Sequence, residues 1–215
     1  FTKLYFWQKR IVEINENIID RNVSVIAISE YLVDFFKTTA KRVIQIPVIF
    51  DFEKEEMYDK KMDEKIVFSY IGNPGKKEDL GTVLDVLSEL YNEGHKMFEF
   101  KVAGITKNEI IRQKIVETDK ISLMEVFTSF LGRVSRQAAT ELYKKTSFTI
   151  IYRYDTRTNK AGFPTKLTES LFNYTPVIVN CSVNGYGYIE DGESGFVVKN
   201  DKQSLREGII KALQK

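Results

Sequence analysis

Residues 161–170 read AGFPTKLTES. Gly162 and Pro164 open what reads as a helix, and that helix carries Lys166 and Glu169 three residues apart. Pro164 suits the first helical position, where its missing N–H costs nothing. Gly162 lets the main chain come close to a ligand. The free N–H groups of Thr165 to Leu167, with the positive end of the helix dipole, form an anion site. Lys166 adds a full charge beside it. Glu169 lies about one turn on, on roughly the same face. A carboxylate there accepts two hydroxyl hydrogen bonds and so suits a ribose diol. An anion site next to a diol acceptor points to a nucleoside diphosphate. The same ten residues also fit ordinary loop punctuation with a solvated Lys166–Glu169 pair.

A second stretch has related chemistry. YIGNPGKKED, residues 70–79, ends a strand-like run and opens a helix. Asn73, Pro74 and Gly75 make a tight turn, and Lys76 and Lys77 follow. These two lysines and Lys166 can converge on one phosphate pair. Other chemistry finds little support. His95 is the only histidine, placed after Gly94 at a helix end, where it reads as a surface capping residue, and no Ser–His or Cys–His pair can be built elsewhere. Cys181 follows a buried strand and reads as a packed small residue. Asp51-Phe-Glu53 and Asp191-Gly-Glu193 read as linker and turn rather than as magnesium ligands.

The elements that position these residues alternate regularly. Leu4, Trp7, Ile11, Ile14 and Ile18 mark a first helix. Strands are expected at 23–29 and 42–48, with a helix between them from a Ser29 cap to about Lys37, its apolar side being Tyr31, Leu32, Phe35 and Phe36. Residues 51–64 are mostly charged and read as a linker. Beyond them, strands are expected at 65–72, 98–104, 126–132, 147–152, 175–180 and 194–198. One helix starts at an Asp79 cap and stops at Gly94, with Leu80, Val83, Leu84, Leu87, Leu90 and Tyr91 on one face. Another runs from Ser135 to about Lys145, and Leu205, Ile209, Ala212 and Leu213 mark the last. Strands alternating with helices predict an α/β fold, a Rossmann-like doubly wound parallel sheet. Ligands of such a sheet sit outside the carboxyl ends of its strands, where both Lys-bearing turns fall.

The totals agree with an α/β domain. A chain of 215 residues buries roughly 70% of the surface its unfolded form exposes. Its net charge of +2 is too small for a nucleic-acid footprint. The single cysteine excludes an internal disulfide and suits a reducing compartment. No apolar run is long enough to span a membrane, and no signal peptide is visible. Because the chain begins at Phe1, it reads as a piece of something longer.

Taken together, these stretches resemble the nucleotide-sugar-binding, C-terminal half of family 4 retaining glycosyltransferases, which have the glycosyltransferase B fold. IVFSYIGNPGKKEDL resembles that family's strand, glycine turn and lysine, and VFTSFLGRVSRQAATELYKKTSFTIIY resembles its next conserved-type segment. AGFPTKLTESLFNYTPVIVN with IEDGESGFVV resembles its Pro-x-Lys, glutamate and Pro-Val-Ile signature. VSVIAISEYLVDFF and VIQIPVIFD resemble the end of the first domain. The resemblance implies that residues 1–50 are a remnant of the N-terminal acceptor domain, that 51–64 link, and that 65–215 bind the donor.

The roles implied by the resemblance are as follows. Lys77, or as second choice Lys76, meets the donor diphosphate, and Lys166 sits near the phosphates or the sugar. Glu169 holds the ribose hydroxyls. Gly132 and Val134 form the turn where the base stacks, and Gly72 and Asn73 the turn after the first sheet strand. Gly162, Phe163, Pro164 and Thr165 complete the donor-binding set. Two positions depart from the family pattern: Ala161 stands where a glutamate contacts the donor sugar, and Asn73 where many members carry arginine. Arg153, Arg157 and Asn159 are candidates to compensate, and Arg153 joins Lys77 and Lys166 in the expected catalytic set. The implied activity is transfer of a hexosyl or related sugar, with retention, from a nucleoside diphosphate sugar of the UDP or GDP type to a glycan or lipid-linked acceptor. No cofactor or metal is expected. The acceptor would reach the site through the missing N-terminal domain, and the fragment alone is expected to be inactive. The resemblance further implies polysaccharide biosynthesis in the cytoplasm or at the inner face of the membrane, with peripheral association only. The rival expectation is a sugar-nucleotide-binding or interaction module without transfer activity, which Ala161 favours.

Overall fold

The structure is a computed structural model that describes residues 2–48 and 65–215. The expected linker at 51–64, Asp51-Phe-Glu53 and the side chains of Leu4 and Trp7 lie outside what it describes. Two compact units emerge, one of Phe1–Ile49 with Ala161–Phe163 and one of Phe50–Lys160 with Pro164–Lys215.

In the first unit, α1 (Thr2–Ile18) is followed by β1 (Ser24–Ala27), α2 (Glu30–Phe36) and β2 (Arg42–Gln45). The strands pair in parallel, Ser24 opposite Arg42 through Ala27 opposite Gln45. Ser29 caps α2 as expected, its hydroxyl accepting from the Leu32 N–H at 3.2 Å. The expected apolar side of α2 is only partly covered: none of its residues is fully buried, and Phe35 is exposed.

The second unit runs β3 (Ile66–Ile71), α3 (Leu80–Asn92), β4 (Phe98–Ala103), α4 (Lys107–Arg112), α5 (Thr118–Met124), β5 (Thr128–Gly132), α6 (Arg136–Lys144), β6 (Phe148–Ile151), α7 (Arg157–Ala161), α8 (Thr165–Phe172), β7 (Val177–Asn180), β8 (Gly195–Val198) and α9 (Lys202–Leu213). The six strands form one sheet in the order β5-β4-β3-β6-β7-β8, all parallel. Chain order reverses between β3 and β6, so the crevice outside their carboxyl ends is where an open α/β sheet binds ligands.

Strands covered on both faces read as near-continuous apolar runs, and β3, β6 and β7 do. Alternate residues of β3 serve different layers. Phe68 and Tyr70 join the larger core with α3 and α9, where Leu84, Leu87, Leu205 and Ile209 are fully buried. Ile71 joins Ala103, Leu142 and Tyr143 beneath α6. On that second face a buried hydroxyl chain links the elements. The Ser170 hydroxyl of α8 donates to Thr149 Oγ1 at 2.8 Å, and Thr149 lies 3.4 Å from Ser69 Oγ. Each fully buried Leu or Phe is worth about 1.5–3 kcal/mol, so the larger core carries most of the unit's stability.

Local signals set several boundaries. Asp79 caps α3 by accepting from the Thr82 N–H at 3.1 Å, and Gly94, at φ +109, ends it. Ser135 caps α6, accepting from the Ala138 N–H at 3.1 Å. Three short helices, α4, α5 and α7, go beyond the elements expected from the sequence. They hold six, seven and five residues, too few turns for a helical period to emerge. Thr106 and Glu109 nonetheless form a reciprocal capping box at α4, a signal present in the sequence. Asp191-Gly-Glu193 forms the turn before β8. No helix among the described residues is long and apolar enough to cross a membrane.

Two strand ends meet tightly. Gly104 follows β4 at φ +102, and a Cβ there would collide with the main chain of Gly72 after β3. Gly104→Ala combines a left-handed backbone with an overpacked contact and should cost about 3–5 kcal/mol in urea unfolding. Gly75→Ala has positive φ but no atom within 4 Å, and should cost about 1 kcal/mol. Equal losses would show that the close approach of the two strand ends carries no weight.

Candidate functional site

The first wall of the crevice is the turn after β3. Gly72 has φ +136. Asn73 Oδ1 accepts from the Gly75 N–H at 3.0 Å, closing a turn of the kind its side chain favours. Gly75 sits at φ +51, and Lys76 and Lys77 follow it, both exposed. The Lys77 carbonyl is pinned from across the crevice. It accepts from Asn159 Nδ2 at 2.7 Å and from the Tyr154 N–H at 3.2 Å. Asn159 is fully buried and its amide also donates to the Tyr154 carbonyl at 2.7 Å. Both of its N–H groups are therefore committed, and Asn159 braces the lysine loop. Arg157 opens α7 and is exposed.

Beneath the loop lies a buried cluster centred on Glu78, only 5% exposed. Arg153 donates to its Oε1 through Nε at 3.3 Å and Nη2 at 3.2 Å. Tyr70 Oη and Lys166 Nζ both donate to its Oε2. Lys166 Nζ also donates to Tyr70 Oη at 3.2 Å and stands 4.3 Å from the Tyr70 ring centre. A carboxylate offers about four lone-pair sites, and here all are taken. Burial pushes the Lys166 ammonium below its ordinary range, and the Glu78 carboxylate opposes that. Burial, then the Glu78 charge, pushes the Tyr70 phenol far up, so it stays a neutral donor. Two cations, Arg153 and Lys166, thus pair with the one buried anion Glu78, and the Glu169 charge also acts on Lys166. Arg153 is fixed by its own main chain, since the Asn180 amide donates to its carbonyl at 2.7 Å and accepts from its N–H at 3.0 Å.

The second wall is the start of α8. Pro164 sits one position earlier than expected, at the N-cap with φ −79 and ψ 114, and Thr165 is the first helical residue. Proline has no side-chain acceptor, so this terminus carries no side-chain cap. The Leu167 N–H donates to the Pro164 carbonyl at 3.0 Å, which removes Leu167 from the expected anion site and leaves Thr165 and Lys166. Lys166 pairs with Glu78, not with Glu169. Glu169 is half-buried and accepts from the fully buried Tyr143 hydroxyl at 3.2 Å.

The remaining candidates fall at the same sheet edge or outside the unit. Gly132, at φ +64, ends β5, and its carbonyl accepts from the Gly104 N–H at 2.6 Å. Pairing of β4 with β5 skips Leu131 there, and Val134 is exposed just beyond. Gly162 and Phe163 fall in the 161–163 segment of the first unit, as does Ala161. His95 is exposed at the end of α3, where its N–H, not its ring, donates to the Leu90 carbonyl at 3.0 Å. Cys181 is exposed, against expectation, because it follows β7 at the strand's open end.

Sequence reasoning missed Glu78 altogether. Between Lys77 and Asp79 it reads as one more solvated charge, and nothing local distinguishes it. Glu78→Gln would leave Arg153 and Lys166 facing each other without an anion. Removing one partner of a buried ionic cluster costs about 3–5 kcal/mol, so urea unfolding of Glu78→Gln should show a loss on that scale. Adding Lys166→Met should recover part of it. A loss under about 0.5 kcal/mol, the ordinary range for surface changes, would show that the cluster carries no structural weight.

Comparison with known proteins places this geometry. The sequence model of the family described as glycosyl transferases group 1 matches residues 51–215. Comparison with curated proteins gave no match. Among solved structures, sucrose-phosphate synthase from Thermosynechococcus elongatus aligns with TM-score 0.75 and 15% identity, over 96% of this chain and 53% of that one. WaaG, a glycosyltransferase involved in lipopolysaccharide biosynthesis, aligns with TM-score 0.68 and 15% identity, over 88% and 53%. A mutant of S. aureus TarM, in complex with Fondaparinux, alpha-GlcNAc-glycerol and UDP, aligns with TM-score 0.69 and 13% identity, over 89% and 37%. The chain thus spans between about a third and a half of the length of these structures. With a matching family sequence and a parallel six-stranded sheet like those of glycosyltransferase B C-terminal domains, this chain belongs to the group 1 glycosyltransferase family.

Proposed function

We propose that the chain supplies the donor site of a retaining glycosyltransferase. Such an enzyme moves a hexosyl or related sugar from a UDP- or GDP-type nucleotide sugar to a glycan or lipid-linked acceptor. The observation that carries this reading is the gathering of cations at the switch point: Arg153 and Lys166 around Glu78, with the exposed Lys76 and Lys77 beside them, four cations against the carboxylates of Glu78 and Glu169. Transfer leaves a diphosphate that gains charge in the transition state. Preorganised cations and main-chain N–H groups aimed at that charge are the most effective way to stabilise it.

The residues divide the work by their surroundings. Lys76 and Lys77 stand on a loop pinned through Asn159, so they meet the diphosphate with little ordering cost. Lys166 and Arg153 are already held by Glu78. Lys166 has three N–H groups and shows bonds to Glu78 and Tyr70, keeping one for a phosphate oxygen. The Thr165 N–H adds the positive end of α8. Glu169 accepts the ribose hydroxyls, and the turn of Gly132 and Val134 receives the base. The acceptor would enter from protein beyond this unit, and polysaccharide or lipid-linked glycan synthesis at a cytoplasmic membrane face is the setting such acceptors imply. A binding module without transfer remains the second reading, supported by Ala161, where a carboxylate for the sugar is lacking.

Two measurements test the donor reading. Calorimetric binding of uridine and guanosine diphosphates should survive EDTA, because lysines and N–H groups carry the phosphate charge; loss on chelation would mean a metal carries it. Glu169→Ala should weaken the ribonucleotide by about 1.5–3 kcal/mol, the range for bonds to a charged group, and leave the 2′,3′-dideoxy analogue nearly unchanged. The four affinities form a double-mutant cycle whose interaction term isolates the contact. A coupling near zero in a folded protein would remove Glu169 from the site.

A further inference from the structure

The bond between Tyr143 and Glu169 is separate from the hydrogen bonds around Glu78 and was not expected from the sequence. Tyr143 is 1% exposed. Its ring packs with Ile71, Ala103 and Leu142. Its carbonyl accepts from the fully buried Thr175 hydroxyl at 2.7 Å, so main chain and ring are both fixed. Burial, then the Glu169 charge, pushes the phenol well above its ordinary range, so the hydroxyl is a donor. A buried phenol needs a partner, and among the described residues Glu169 Oε2 at 3.2 Å is the one it has.

The consequence lies on the carboxylate. A half-exposed glutamate samples many rotamers, and ordering one costs a ligand about 0.5–1.5 kcal/mol. Tyr143 removes that cost before a ligand arrives, because it is rigid and reaches Glu169 from below. It occupies one lone pair of Oε2 and leaves Oε1 for an incoming hydroxyl. Asn173 Nδ2 donates to the Glu169 carbonyl at 2.7 Å, which fixes the same residue's main chain.

We propose that Tyr143 is a positioning residue. By holding Oε2 it aims Oε1 of Glu169 at a ribose hydroxyl, and so sets how strongly the site prefers ribonucleotides over deoxynucleotides. The proposal rests on the donor-site reading given above.

The test uses the full 215-residue chain with uridine diphosphate and 2′,3′-dideoxyuridine diphosphate, and the guanosine pair in parallel. Tyr143→Phe keeps the buried ring and removes only the hydroxyl. The ribo preference of the wild type should fall by about 3- to 10-fold, the scale of the cost of ordering one side chain. Affinity for the dideoxy form should stay within about twofold, the error expected of an uncoupled site. In a Glu169→Ala background, Tyr143→Phe should change the ratio no further. A purely structural tyrosine would lower both affinities together and leave the ratio intact, and that result overturns the proposal. So does a ratio that still falls when Glu169 is absent. If the wild type binds neither form, or binds both equally, the donor-site reading itself fails and this inference with it.

Discussion

A saturated carboxylate at the switch point of the sheet organises this unit. Glu78 is buried, and a buried carboxylate is tolerable only when its lone pairs and its charge are both met. Arg153 satisfies one oxygen, and Tyr70 with Lys166 the other. Because these donors come from β3, from the second residue after β6 and from α8, the anion ties together the elements that flank the crevice. It also orders both cations, Arg153 and Lys166, within the cluster.

Amides and small residues complete the frame. Asn180 substitutes for a strand neighbour on both sides of Arg153. Asn159 holds the Lys77 loop from the opposite wall. Each is buried, and each replaces the regular ladder at the point where the strands stop. Gly104 and Gly72 touch main chain to main chain at the ends of β4 and β3, which brings the lysine turn close to the Gly132 turn. The bulge between β4 and β5 falls at the same edge, as bulges near functional edges commonly do.

The two sheet faces serve different ends. The face beneath α3 and α9 is aromatic and aliphatic, with Phe98 edge-on to Phe68 and to Phe127, and holds the larger core. The face beneath α6 and α8 mixes a smaller apolar cluster with the hydroxyls of Ser69, Thr149 and Ser170. Polar groups on that side have fixed partners, so α8 is located by directional bonds as well as by packing. It is this helix that carries Lys166 and Glu169.

The sequence by itself determined the alternation of strands and helices, the caps at Ser29, Asp79 and Ser135, the stop at Gly94, and the two lysine-bearing turns at strand ends. Those features depend on contacts within one turn of helix or on a two-residue period, which a single sequence displays. It also carried enough of the family's signature to imply the sheet. Tertiary structure alone decided the rest. Glu78 meets Arg153 across 75 residues of chain and Lys166 across 88, and no local pattern reports partners so distant. The same holds for Tyr143, whose partner Glu169 lies 26 residues on, and for Asn159, which read as a candidate to compensate for the departing positions and bonds to Lys77 across 82 residues. Strand order lies in the crossovers, which bring β6 beside β3 and so place these side chains in one crevice. Burial, created by that arrangement, then turned Glu78 from one charge among several into the centre of the site.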